Sequence, residues 1–293
     1  MRIFVTGASG WIGSAVVPEL IAAGHHVLGL ARSDASALAI AARGAQVLRG
    51  DLNDTGILRA GAADSDGVIH LAYEHHLGQV GGAAADGEAI AAFITALAGT
   101  GKPLVVTGAT LTKPGRTTTE RDELVAEGPI AARILNLQAA LAARDQDVRV
   151  ALVMIPRSVH GEGERHGFIP QLIARARKEG VSGYLGDGSA RWPAVHVESA
   201  ASLYRLAVES APAGSVLHAV GDEGVPVRDI AEAIGRGLDL PARSLPAERF
   251  GMPLSSLLAT DMPASSALTQ ELLGWVPTHP RLIADIDEGH YFA

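Results

Sequence analysis

With 293 residues, 47% hydrophobic and 19% charged, the chain has the composition of a folded protein and the length for one large α/β unit or two ordinary domains. Lys and Arg number 24 against 32 Asp and Glu, and the net charge of −8 argues against nucleic acid or an anionic membrane surface as a partner. Cysteine is absent, which removes disulfides, thiolate chemistry and Cys-ligated zinc, and no apolar run approaches the ~18 residues of a membrane helix. The opening MRIFVTGASG carries neither the long apolar stretch nor the small-residue cleavage site of a secretory leader, so the expectation is a cytoplasmic protein.

In chain order, the pattern predicts a strand at Arg2–Val5, a helix at Trp11–Ala23 closed by Gly24, and a strand at His26–Leu30. A helix at Ala35–Arg43 ends at Gly44, before a strand at Gln46–Leu48 and a short helix at Thr55–Ala60. Next come a strand at Gly67–Ala72, a helix at Ala83–Ala98, a strand at Leu104–Thr107 and a helix at Pro129–Arg144. The strand Val148–Ile155 is stopped by Pro156. Strand–helix alternation of this kind predicts a parallel sheet with helices on both faces. Beyond Pro156 the rhythm loosens: 157–193 is rich in Gly, Arg and His with one helix at Ile169–Glu179. A helix at Glu198–Glu209, a buried strand at Val216–Ala219 and a helix at Val227–Leu238 follow. The expected division is 1–156 with 194–222 returning to it, and a smaller, interleaved region of 157–193 and 223–293.

The most informative motif is TGASGWIG, Thr6–Gly13, at the first strand–helix junction. Gly7 permits a tight turn, Gly10 lets backbone approach a pyrophosphate, and Gly13 allows close helix–sheet packing. The N–H groups of Ser9, Trp11 and Ile12 lie at the start of the helix, where its dipole favours phosphate. This position within a βαβ unit predicts a dinucleotide site.

With GDLND at 50–54, HLAY at 70–73, IPRSVHGEG at 155–163, RWPAVHVESAA at 191–201 and LGWVPTHP near the end, the chain resembles the extended or atypical short-chain dehydrogenase/reductases of the NAD-dependent epimerase/dehydratase type. The resemblance runs over nearly the whole chain. It implies a doubly wound α/β Rossmann sheet with a smaller, interleaved C-terminal substrate-binding region. It also implies that Asp51 and Leu52 line the adenine, Leu71, Ala72 and Tyr73 the phosphate–ribose side, and Thr107 with Pro156–Val159 the nicotinamide. Asp51 reads equally as an N-cap for the short helix after it. Arg191 and Trp192 fall in a family segment whose arginine often contacts substrate; Trp192 reads also as packing between the two regions.

An acid near the end of the second strand suits a ribose hydroxyl and an arginine suits a 2′-phosphate. Arg32 lies 19 residues past Gly13 with Ser33 beside it, which favours NADP over NAD, with Asp34 as the competing group. The family's catalytic tyrosine, followed four residues later by lysine, is missing: none of Tyr73, Tyr184, Tyr204 and Tyr291 has such a lysine. The helix that should carry the pair places Arg133 near the tyrosine position and Leu137 near the lysine position. A guanidinium is a fixed cation, unable to give up a proton at neutral pH but able to stabilise an oxyanion. Thr110 is the candidate hydroxyl donor, and Tyr73 the candidate proton source, with a histidine or water as alternatives. His75 and His76, after the fourth strand, and Arg157 and His160, after the sixth, are further candidates for the substrate side. The alternating His160, Glu162, Glu164 and His166 match no metal-ligand spacing, and no metal is expected.

The expectation is therefore an NADP-dependent oxidoreductase of this superfamily, acting on a small, uncharged or weakly polar carbonyl or alcohol compound, and possible as a homodimer. A catalytically silent NADP-binding sensor and a sugar-nucleotide epimerase-like enzyme are the alternatives.

Overall fold

A computed structural model describes residues 1–113 and 115–293. The strands are β1 (Arg2–Thr6), β2 (His26–Ala31), β3 (Gln46–Arg49), β4 (Gly67–His70), β5 (Pro103–Ala109), β6 (Arg149–Ile155), β7 (Ser158–His160), β8 (Ser182–Tyr184), β9 (Arg191–His196), β10 (Ser215–His218), β11 (Asp222–Pro226) and β12 (Ala242–Ser244). The helices are α1 (Trp11–Ala22), α2 (Asp34–Ala42), α3 (Thr55–Ala63), α4 (Gly78–Leu97), α5 (Ala131–Ala142), α6 (Phe168–Glu179), α7 (Val197–Ser210), α8 (Val227–Leu238), α9 (Ala247–Phe250), α10 (Leu254–Ala259), α11 (Ala267–Leu273) and α12 (Leu282–Asp287).

Seven strands form one parallel sheet in the order β10-β6-β5-β4-β1-β2-β3. Its buried strands read as continuous apolar runs, as a sheet covered on both faces requires. One face packs Val16, Val17 and Leu20 of α1, Ile40 of α2, and Leu203, Tyr204 and Ala207 of α7. The other packs Leu58 of α3, Ile90 and Phe93 of α4, and Ile134 and Leu137 of α5. Strand order reverses between β1 and β4, and ligands of doubly wound sheets bind in the crevice at the carboxyl ends of the strands flanking such a reversal.

By length and composition the stretch His75–Leu97 would suffice to cross a membrane, although no unbroken apolar run signals it. Here it is a core helix: Ala89, Ile90, Phe93 and Leu97 are buried, and so is Asp86, matched to polar partners.

The second part of the molecule holds a three-stranded sheet, β11-β9-β7, and the pair β12-β8. Trp192, Ile169, Ile230 and Leu282 build its core. The chain passes from β6 into β7, returns through α7 and β10 to the large sheet, and leaves again at β11. Strands β7, β8, β9, β11 and β12 and helices α9–α12 have no counterpart in the pattern-based expectation. The longest of these strands, β9, contains Pro193, which reads as a break. That proline falls where the β9–β11 register shifts between Asp222 and Val225, so the ladder does not need its missing N–H.

Candidate active site

Gly7 stands at φ 68°, and a Cβ there would come 2.8 Å from the Ala72 nitrogen. Only glycine lets the turn lie against the end of β4. A Cβ on Gly13 would strike the Gly7 carbonyl and Ala8, so Gly13 sets how closely α1 approaches its own turn. Gly10 N–H donates to the Gly7 carbonyl at 2.9 Å, and α1 starts with no side-chain cap and no acidic residue in its first turn. The N–H groups at this helix start are thus open to an anion. Trp11 donates from Nε1 to the Val159 carbonyl at 2.7 Å, tying the turn to the segment after β6.

A buried polar chain fixes this edge of the sheet. Thr6 Oγ1 and His70 Nδ1 are 2.7 Å apart, His70 Nε2 meets Asp86 Oδ1 at 3.2 Å, and Asn136 Nδ2 donates to Asp86 Oδ2 at 2.9 Å. Burial alone would raise the Asp86 pKa, but the hydrogen bonds from His70 and Asn136 outweigh it and hold it below the usual range. The chain joins β1, β4, α4 and α5, and it anchors α5 one turn from Arg133. His70, Asp86 and Asn136 lie too far apart in sequence for spacing to have linked them.

At the end of β2, Arg32 remains largely exposed and reaches Glu74 Oε1 at 3.4 Å, while Glu74 Oε2 meets His76 at 3.2 Å. The exposed Asp34 carboxylate accepts from Arg49 Nη2 at 2.6 Å. Ser33 caps α2: its Oγ accepts from the Ser36 N–H at 3.1 Å and donates to Ser36 Oγ at 3.0 Å. The Ser33 hydroxyl, beside Arg32, thus takes part in the α2 cap. Asp51 accepts from the Asn53 N–H at 2.9 Å, which holds its carboxyl below the ordinary range. The α3 cap read into Asp51 belongs to Asp54, which accepts from Ile57 N–H. Leu52 is buried, and Leu71 and Ala72 line the edge beside Gly7.

At the reaction end, Arg133 lies over the Tyr73 ring, 4.4 Å from its centroid, and donates from Nη2 to the Thr107 carbonyl at 3.4 Å. Tyr73 also meets the His75 ring at 4.8 Å, and its hydroxyl donates to the Gln79 carbonyl at 3.4 Å. Partial burial and the Arg133 charge keep His75 below an ordinary histidine. The Thr107 hydroxyl is spent on the His70 carbonyl at 2.8 Å and the Tyr204 hydroxyl at 2.9 Å, so Thr107 shapes the wall but offers no free donor. Thr110 Oγ1 and Arg133 Nε are shielded from solvent and have no hydrogen-bond partner among the described residues. Leu137, near the absent lysine's position, is a core residue packed under Gly108.

Two substrate-side expectations fail. His160 is fully buried, its Nδ1 2.8 Å from Asp285, and Trp192 is fully buried with Nε1 donating to the Leu257 carbonyl. Both hold the smaller region together, because β7 and β9 turn them into its core. Arg191 is only partly exposed, and Asp261 takes its N–H, Nε and Nη2 at 2.8, 3.0 and 2.9 Å. His75 and His76 stay exposed near Tyr73. Arg157 is half-buried, between Pro156 and buried Ser158. Asp261, Met262 and Phe168, which surround these arginines, carried no recognisable signal in the sequence.

A family model described as the NAD dependent epimerase/dehydratase family matches residues 3–219. An uncharacterized protein of Schizosaccharomyces pombe is 44% identical over 299 residues, covering 100% of both chains. A 2-alkyl-3-oxoalkanoate reductase of Stenotrophomonas maltophilia is 28% identical over 82% of this chain and 77% of its own. Among solved structures, a dTDP-glucose 4,6-dehydratase double mutant from Streptomyces venezuelae, with NAD and DAU bound, superposes with a TM-score of 0.81 at 19% identity, covering 100% of this chain and 97% of that one.

Proposed function

The chain belongs to the NAD dependent epimerase/dehydratase family, and on that premise we propose that it is an NADPH-preferring oxidoreductase that reduces a small carbonyl compound. The observation that carries the reading is two shielded donors without an acceptor among the described residues, Thr110 Oγ1 just after β5 and Arg133 Nε on α5. A buried donor without an acceptor costs about 1–3 kcal/mol, a strain that a substrate oxygen placed there relieves. The diversion of Asp34 to Arg49, with Arg32 left exposed, supports a 2′-phosphate over a bare ribose.

The Gly7–Gly13 turn would hold the pyrophosphate of NADPH and Arg32 its 2′-phosphate, and the cofactor so bound would supply a hydride. Thr110 donates a hydrogen bond to the carbonyl oxygen. Arg133 stabilises the negative charge that grows on that oxygen as the carbon is reduced. Tyr73, held under Arg133, delivers the proton that completes the alcohol. The missing tyrosine–lysine pair speaks for a second reading, a binding protein that senses NADPH without turning it over. The discriminating experiment is a multiple-turnover assay of NADPH with a carbonyl panel, run beside a binding titration. A proton-shuttling epimerase is the weakest fit, since it needs the pair that is absent.

A further inference from the structure

The half-buried arginines of this protein are mostly matched to acceptors. Arg149 gives its Nη1 and Nη2 to the Ala211 and Val208 carbonyls at 3.0 and 2.7 Å, Arg175 pairs with Glu179 at 2.6 Å, and Arg205 pairs with Glu19 and Glu209 at 2.6 and 2.9 Å. Arg157 breaks the pattern. Its Nε and Nη2 both point at the thioether sulfur of Met262, at 3.2 and 2.9 Å, and among the described residues it has no carboxylate partner. A thioether is a weak acceptor for a guanidinium. Phe168 and Trp192 support the cation, their ring centroids 5.3 and 5.7 Å from its carbon, and burial holds its pKa below an ordinary arginine's. A carboxylate stands next door in sequence, on Asp261, yet Arg191 takes it with three hydrogen bonds. The fold thus leaves the desolvated Arg157 fork with neither a carboxylate nor a carbonyl among the described residues, in a protein whose net charge is −8.

The position of that fork gives it a use. Arg157 lies two residues beyond the end of β6, in the segment whose Val159 carbonyl receives Trp11 of the glycine turn. Its guanidinium packs against the smaller region, through Phe168 of α6, Trp192 of β9 and Met262. It therefore stands at the junction of the two regions, beyond the carboxyl edge of the sheet. We propose, resting on the oxidoreductase reading above, that Arg157 receives a carboxylate of the substrate, which is thus an oxo acid and not the uncharged compound expected from the sequence. A carboxylate matches the planar Nε/Nη2 edge with two parallel hydrogen bonds. Met262 is unbranched and flexible enough to swing aside. Trp192, buried as packing, keeps the guanidinium in place.

The test uses the full-length protein with NADPH bound and a series of short 2- and 3-oxo acids, each paired with its methyl ester. Binding is followed by calorimetry and turnover by NADPH absorbance. The wild type is expected to prefer acids to esters, and Arg157→Gln to lower the acid-over-ester ratio about 10- to 100-fold, the scale of hydrogen bonds to a charged group. Arg157→Lys, which keeps the charge and loses the fork, should recover part of the ratio. The thermal unfolding midpoint of each variant, compared with the wild type's, reports that the fold is intact. Equal preference for acid and ester in the wild type, an unchanged ratio in Arg157→Gln, or no acid in the series binding would overturn the inference. The two readings fail separately. Arg157-dependent acid binding without turnover sinks only the reductase, and turnover indifferent to the carboxylate sinks only the role of Arg157.

Discussion

The guanidinium carbon of Arg133 lies 4.4 Å above the Tyr73 ring centroid, so a fixed cation from α5 covers the phenol that follows β4. The contact brings a tyrosine and a cation together from two different elements of the chain. Tyr73→Phe keeps the ring and the cation–π contact and removes only the hydroxyl. A general acid contributes roughly 10²- to 10⁴-fold, so kcat is expected to fall at least about 100-fold with NADPH affinity retained. A loss below tenfold assigns the proton to water and leaves Tyr73 as support for Arg133.

Cofactor choice is tested at Arg32. Arg32→Ala should weaken NADPH binding by about 1.5–3 kcal/mol and leave NADH nearly unaffected, since a charge-assisted bond to the 2′-phosphate is what disappears. Equal losses for both cofactors would make Arg32 a packing residue. Glu74 is the buried acid beside Arg32, and Glu74→Gln should tighten NADPH by removing a like charge.

The Asp86 chain is a stability prediction. Asp86→Ala leaves His70 Nε2 in the interior without its partner, while Asn136 keeps the Ala83 carbonyl, and a buried polar group that loses its hydrogen bond costs roughly 1–3 kcal/mol. A Tm unchanged in differential scanning calorimetry would show that water or repacking satisfies His70. Because the chain also anchors the helix carrying Arg133, kcat should fall more than NADPH affinity.

Glu164 gives a pH dependence. Burial, the largest cause, and the nearby Asp285 charge push it up to about 7, against the Tyr291 hydrogen bond that favours the carboxylate. The folded protein therefore keeps a proton that the unfolded chain, titrating near 4.5, has released. That contribution to stability is complete below about pH 4.5 and is lost as pH rises through 7. The span corresponds to about 3 kcal/mol. Glu164→Gln should flatten this part of the stability curve between pH 5 and 8, as followed by chemical denaturation. Parallel curves for wild type and variant would refute it.

The nucleotide-binding half was legible because its signals are local. Gly7, Gly10 and Gly13 answer to a turn within eight residues, and apolar runs between helical stretches announce a parallel sheet. Arg32 could be singled out by its distance from Gly13 alone. The other half depends on contacts that spacing does not carry. His160 looked like a loop ligand, because nothing local says that Asp285, 125 residues on, will bury it. Trp192 and Pro193 obscured a strand whose pairing is set by β7 and β11, both short and poor in β-branched alternation. Ser33 and Asp51 also take part in turn chemistry, with Ser36 and Asn53, alongside the cofactor side to which their positions point.

Everything proposed for the site depends on carbonyl reduction with NADPH in a chain that lacks the tyrosine–lysine pair. It is tested most directly by NADPH deuterated at the transferable position, incubated over many turnovers with the oxo acid and ester series. Alcohol product with deuterium on the former carbonyl carbon is expected, at a rate that falls when Arg133 is changed to Met. Tight NADPH binding with no deuterium in any product would contradict it and leave the protein a binder of the cofactor.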